Sequence, residues 1–214
     1  MKTLLKLSLA ATAVITAFGA QAQEFPSKDK TVTLVVPYAA GGPTDRVARD
    51  LAEALRKPLG GVSVVVDNAA GAGSTIGTAK AARATPDGYT LYCGPNGPIL
   101  LLPLLRQTGY KPTDLMPVAP YGELVYAFGV LSTMPANDIK GLVAMAKAKP
   151  GTINFASAGS GSITHLAAEY FALQAGIKMN HIPYKGSGPA MTGATRPIAR
   201  PLPVANGGVR SEEH

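Results

Sequence analysis

The feature that most constrains this chain is a recurring unit: a short β-branched run, a glycine-rich loop, then a helix. Residues 31–36 (TVTLVV) form the first run, bounded by Pro37, and the loop 38–43 (YAAGGP) follows. A helix is expected over 44–57, because Val47, Leu51 and Leu55 recur at i, i+4 and i+8. Thr44 or Asp45 is expected to cap its start, with Pro58 and Gly60 closing it. The unit repeats as strand 62–66 (VSVVV), loop 68–73 (NAAGAG) and a small-residue helix over 74–83. A turn at 85–88 (TPDG) leads to strand 89–93 and loop 94–97. The apolar run 99–105, broken by Pro103, is expected to be a short buried helix.

Residues 107–123 show little periodicity and carry three prolines. The unit then restarts. Residues 124–131 are a candidate strand, and Asn137 or Asp138 caps a helix with Ile139, Leu142, Val143 and Ala146 on one face. Strand 152–156, loop 157–162 and helix 164–175 follow, with Leu166, Tyr170 and Leu173 expected inward. Strand 177–182 leads into Pro183, Tyr184, Lys185 and Gly186. This order implies right-handed βαβ units and mostly parallel sheets, in two α/β lobes joined near 117–123. In such sheets ligands bind at the carboxyl ends of strands, where the glycine loops lie.

Composition narrows the function classes. With 46% hydrophobic and 15% charged residues, the 214-residue chain has the makings of a packed core. One cysteine and three histidines argue against a structural zinc site or a disulfide framework. Cys93 reads as a buried strand residue. The formal charge is +7, but Lys and Arg are scattered and aromatics are only 6%, which disfavours nucleic acid. Residues 1–22 read as a signal peptide: Lys2 and Lys6, an apolar run over 7–18 too short to span a membrane, and Ala20-Gln21-Ala22 as the cleavage site. The mature chain is then expected to start at Gln23 and to work in a periplasm.

The loops carry the candidate chemistry. A helix start offers unpaired N–H groups and partial positive charge, and glycine lets a ligand approach the backbone. Loops 38–45, 68–74 and 157–164 are therefore candidate anion clamps. Gly71, Gly73 and Gly77 miss the dinucleotide-binding spacing by one residue, and no GxxxxGK[ST] loop is present. A secreted α/β enzyme acting on a small anion is the alternative, but there is no G-x-S-x-G elbow. Asp45 either caps its helix or reads a ligand's amino or hydroxyl group. Asp67 is expected to fix its turn. His165 either orients its loop or touches a ligand, and His181 is expected in the core or beside the hinge. Lys185 either pairs with an anionic ligand or is a solvated turn residue.

The strings VPYAAGGPTDRVARDLAEAL, VDNAAGAGSTIGTAKAARATPDGYTL, INFASAGSGSITHLAAEYF and HIPYKGSGPA occur in this order. Together they resemble the solute receptors of tripartite tricarboxylate transporters, the Bug-type extracytoplasmic solute receptors. The resemblance covers about residues 24–191. It implies a two-lobed, type II periplasmic-binding-protein-like fold that closes on a small organic acid, with a two-subunit membrane permease as partner. It implies no cofactor and no metal; a monomer is expected. In the first lobe it points to Tyr38, Ala39, Ala40, Gly41, Gly42, Thr44 and Asp45, with Gly71, Ala72, Gly73 and Ser74. In the second it points to Ser160, Gly161, Ser162 and Thr164, with Asn96 and Tyr184 at the rim.

The resemblance divides the chain into lobe 1 over 23–120, a partial lobe 2 over 121–191, and a tail over 192–214. Family members continue with a helix and a strand where this sequence turns to Pro197, Pro201 and Pro203. The tail is expected to be non-homologous and disordered, either a frameshifted end or the tail of a natural short variant, and to leave the fold incomplete at its C-terminus. An incomplete fold is expected to expose apolar sheet and to bind ligand weakly.

Overall fold

The structure is a computed structural model that describes residues 25–195 and the backbone of residues 204–208. The signal-peptide assignment at 1–22 and the proline run at 197–203 lie outside the described residues.

The first sheet contains β1 (Val32–Val36), β2 (Val64–Asn68) and β3 (Thr90–Tyr92), in the order β2-β1-β3 and wholly parallel. Central β1 is covered on both faces: Val32, Leu34, Val35 and Val36 are each no more than 1% exposed. A continuous apolar run is what a strand buried on both sides requires. Helix α1 (Pro43–Arg56) lays Ala48 and Ala52 on this sheet, with Leu51 and Leu55 packed beside them. A 3₁₀ turn (Ala72–Ser74) leads into α2 (Thr75–Ala82), which connects β2 to β3. Cys93, just past β3, is buried in the same core as a free thiol, and burial pushes it above its ordinary pKa.

The second sheet has the order β4-β7-β5-β6. Its members are β4 (Val125–Gly129), β5 (Asn154–Ser157), β6 (Asn180–Pro183) and β7 (Val204–Gly208). β5 runs parallel to β6 and β7, while β4 runs antiparallel to β7. Helices α5 (Ile139–Ala148), α6 (Ile163–Ala175) and α7 (Ser187–Thr195) belong to this half. Asp138 caps α5 by accepting from the Gly141 N–H at 2.7 Å. The core here joins Leu142 and Ala146 of α5 to Ile153, Ala172 and Ile177.

Several expectations are corrected. Helix α1 begins at Pro43, with Gly42 as its cap and no side-chain cap bond, so neither Thr44 nor Asp45 caps it. Proline fits the first helical position because that N–H has no partner there anyway. The run 99–105 forms two one-turn helices, α3 (Gly97–Leu100) and α4 (Leu102–Leu105). Of its leucines only Leu102 is buried, while Leu104 is 80% exposed. In α6, Tyr170 and Leu173 point outward, 65% and 75% exposed. The buried stripe is Thr164, Ala168 and Ala172, spaced at i, i+4 and i+8. Small residues there let the helix approach the sheet closely, with Ala168 against Phe155. Within the expected tail over 192–214, α7 continues to Thr195 and residues 204–208 form a strand between β4 and β5; its other residues lie outside the described ones.

Candidate functional site

The loop after β1 is tied to the end of β2 through Asp45. The Asp45 carboxylate accepts from the Gly41 N–H (2.9 Å), from Arg49 Nε (3.0 Å) and from Asn68 Nδ2 (2.9 Å). Asn68 Nδ2 also donates to the Tyr38 carbonyl at 3.1 Å. Burial would raise the Asp45 pKa, but the bonds from Arg49, Gly41 and Asn68 outweigh it and hold the carboxyl below its ordinary value. Asp45 thus fixes the loop; its lone pairs are spent within the protein.

The loop after β2 adopts a rare backbone. Gly71, Ala72, Gly73 and Ser74 all have positive φ, at 134°, 46°, 59° and 77°. For Ala72 and Ser74 that conformation stores strain. Ser74 is buried, and its carbonyl accepts from Thr78 Oγ1 at 3.0 Å.

The loop after β5 is held by its own hydroxyls and one imidazole. The Ala158 N–H donates to Thr164 Oγ1 (2.9 Å), and Ser162 Oγ lies 3.0 Å from the same oxygen. Ser162 caps α6 by accepting from the His165 N–H at 3.3 Å. The Gly161 N–H donates to His165 Nδ1 at 3.0 Å. His165 therefore positions the loop.

These loops meet between the lobes. The Ala39 N–H donates to the Lys185 carbonyl at 2.8 Å. A Cβ on Gly73 would sit 1.9 Å from the Ser160 carbonyl oxygen, so only glycine permits this approach. Between the loops lies a cavity of about 260 Å³. The first lobe lines it with Pro37, Gly71, Ala72, Gly73, Ser74 and Arg106; the second supplies Ala158, Gly159, Ser160, Pro183, Tyr184 and Lys185. A second cavity of about 20 Å³, enough for about one water, is lined by Tyr38, Thr44, Tyr126, Ala158, Thr164 and neighbours. Burial raises the Tyr38 phenol far above its ordinary value, so it stands there as a neutral hydroxyl.

The expected site residues therefore divide. Gly71, Ala72, Gly73, Ser74, Ser160 and Tyr184 line the larger cavity, and Tyr38, Thr44 and Thr164 the smaller. Ala39, Ala40, Gly41, Gly42, Asp45, Asn96, Gly161 and Ser162 line neither. Gly41, Asp45, Gly161 and Ser162 are engaged in the loop bonds just given, and Asn96 is an exposed residue before α3. Sequence reasoning missed Arg106 and left Lys185 open. Arg106 lies between the apolar run 99–105 and the weakly periodic stretch 107–123, and only the fold returns it to the β2 loop. There its Nη2 donates to Thr75 Oγ1 (2.7 Å) and to the Ala72 carbonyl.

Among the described residues, Arg106 and Lys185 are the only charged ones lining the larger cavity, and no acidic one lines it. No ion pair among the described residues engages either cation. Ser157 Oγ lies 2.6 Å from His181 Nε2, but Ser157 is fully buried and lines neither cavity. Among the described residues no cluster of three metal-ligating side chains occurs, and no helix is long and apolar enough to cross a membrane.

Comparison with known proteins gives a consistent answer. Protein BugT of Bordetella pertussis is 40% identical over 173 residues, which cover 79% of this chain and 52% of BugT. The chain thus spans about half the length of this relative. A solved periplasmic transporter superposes with a TM-score of 0.79 at 34% identity, over 86% of this chain and 61% of that one. MatC from Rhodopseudomonas palustris, solved with bound malate, superposes with a TM-score of 0.73 at 31% identity. That match covers 78% of this chain and 57% of MatC. These neighbours agree with the two-lobed periplasmic-binding-protein fold. The family described as tripartite tricarboxylate transporter family receptor matches residues 47–196, five residues beyond the expected limit of homology at 191. The chain belongs to the tripartite tricarboxylate transporter receptor family.

Proposed function

We propose that the chain is a periplasmic solute receptor that captures a small organic acid between its two lobes, with lobe 1 over 23–120 and lobe 2 from 121. One observation carries this reading: the cavity between the lobes is walled by glycine-loop backbone, and among the described residues its only charged side chains are cations. Backbone amides at open loops and an uncompensated positive field both favour a carboxylate. Gly71, Ala72, Gly73 and Ser74 hold the acid from the first lobe, and Ser160 and Tyr184 meet it from the second. Tyr38, Ala39, Ala40, Gly41, Gly42, Thr44, Asp45, Asn96, Gly161, Ser162 and Thr164 shape or support the loops around it. MatC, of the same fold, was solved with a dicarboxylate bound. The receptor acts as a monomer, exported by its N-terminal signal, and hands its ligand to a two-subunit permease. It binds its ligand without transforming it: Ser157 is fully buried, and neither Ser157 nor His181 lines either cavity.

A thermal-shift screen with mono-, di- and tricarboxylates tests the reading. At least one acid is expected to raise the melting temperature in a saturable way. If no carboxylate shifts the melt while a neutral solute does, the substrate class is wrong.

A further inference from the structure

Four consecutive residues of the β2 loop, Gly71, Ala72, Gly73 and Ser74, hold positive φ, and all four line the larger cavity. Glycine adopts that backbone freely, whereas Ala72 and Ser74 adopt it only where surrounding contacts impose it. The 3₁₀ turn supplies one such contact, since the Thr75 N–H donates to the Ala72 carbonyl. Arg106 supplies two more. Its Nη2 donates to the same Ala72 carbonyl and, at 2.7 Å, to Thr75 Oγ1. One guanidinium nitrogen thus ties down the residue before and the residue after the pair Gly73–Ser74.

Arg106 is itself anchored. It follows α4, whose Leu102 is buried, and its N–H donates to the Leu102 carbonyl at 3.0 Å. Further along the chain, Tyr110 is buried and its Oη donates to the Pro98 carbonyl at 2.6 Å. The guanidinium is therefore delivered from backbone held on both sides. Its side chain is exposed, so water and salt weaken its charge at a distance, while the two direct bonds keep their geometry.

We propose that Arg106 is a positioning residue: it locks Ala72–Ser74 in the left-handed backbone that the loop presents to the cavity, and it acts on the ligand through Ala72 and Thr75. The lock rests on the organic-acid reading above and adds to it the residue that keeps the backbone clamp in shape before the ligand arrives. A loop already in its binding shape spares the ligand the cost of ordering it. Losing the lock weakens a monoacid and a diacid alike, because the loop changes and not the count of charge contacts.

Two measurements on the full chain test the lock: hydrogen exchange without ligand, and calorimetric titration with malate, succinate and butyrate. Arg106→Gln is expected to speed exchange of the amides of 72–75 about ten-fold while those of 158–162 stay unchanged. It is expected to weaken each acid about ten-fold, the scale of one hydrogen bond to a charged group. Thr75→Val removes an acceptor and leaves the arginine in place, and is expected to reproduce part of both effects. Thr75→Ser keeps the hydroxyl and is expected to behave as wild type. Adding Thr75→Val to Arg106→Gln is expected to change nothing further, because the shared bond is already gone. Exchange that rises equally throughout the chain marks a general loss of stability and overturns the lock. Weaker binding with unchanged exchange and a neutral Thr75→Val makes Arg106 a direct ligand contact, and overturns it too. If the wild-type protein binds none of the three acids, the organic-acid reading falls, while the exchange comparison by itself still upholds or overturns the lock.

Discussion

The imidazole of His165 lies face to face with that of His181, their centroids 3.8 Å apart and their planes within 18°. Phe155 stacks on His181 from within the same sheet, at 4.9 Å. The pair connects α6 to β6 directly behind the loop that walls the cleft. His165 Nε2 lies 3.5 Å from Glu169 Oε1, while His181 faces Ser157 Oγ. Burial and the neighbouring His165 push the His181 pKa down to about 4. Burial also lowers His165, partly offset by Glu169.

A depressed histidine predicts acid sensitivity. Between the ordinary pKa of 6.5 and about 4, the unfolded chain takes up a proton that folded His181 refuses. Stability is therefore full above pH 6.5 and is expected to fall as pH drops towards 4. Protonating His165 at Nδ1 would also remove the acceptor of the Gly161 N–H and loosen the second-lobe loop. Melting temperatures across pH 4–8 check this, and His181→Phe is expected to flatten the slope. An unchanged slope in that variant would remove His181 from the account.

Gly73→Ala probes how close the lobes must come. Its φ is +59°, and an added Cβ would meet the Ser160 oxygen at 1.9 Å. Overpacking of this kind costs about 1–3 kcal/mol. That cost is expected as lost stability, with any loss of ligand affinity added to it, because the atom met is a backbone oxygen that cannot swing aside. Calorimetry beside a ligand-free melt separates the two effects.

Asp45→Ala is expected to destabilise the protein by about 2 kcal/mol, because it strands the Gly41 N–H and the Asn68 amide. Chemical denaturation measures this. The Asp45 carboxyl is depressed, so its contribution is present above the unfolded carboxylate pKa and is lost as pH falls through the folded one. The difference between wild type and variant should shrink below about pH 4.

The facing of α6 gives a paired test. Leu173→Gln is expected to change stability by less than about 0.5 kcal/mol, since Leu173 is 75% exposed. Ala168→Leu is expected to cost about 1–3 kcal/mol, since Ala168 is fully buried against Phe155. Denaturant midpoints for the two variants check the assignment.

Much of the architecture is a local matter. The run from Val32 to Val36 and the glycines at 41, 71, 73 and 161 signal strand and loop within a few residues. Such signals depend on neighbours in the chain, so the sequence by itself determined the strand–loop–helix order and the position of the glycine loops. Tertiary structure decided what lies far apart in the chain. Asp45 found Asn68, 23 positions away, and became a tether in place of a cap. Arg106 reached Thr75 across 31 positions and brought a cation to the cleft. The buried face of α6 went to Thr164, Ala168 and Ala172, because closeness to the sheet rewards small side chains where periodicity alone favours large ones. Residues 204–208, which carry no strand signal of their own, pair because β4 and β5 offer free backbone on either side. In each case the deciding energy is a contact between distant residues, and chain order does not encode which of them will meet.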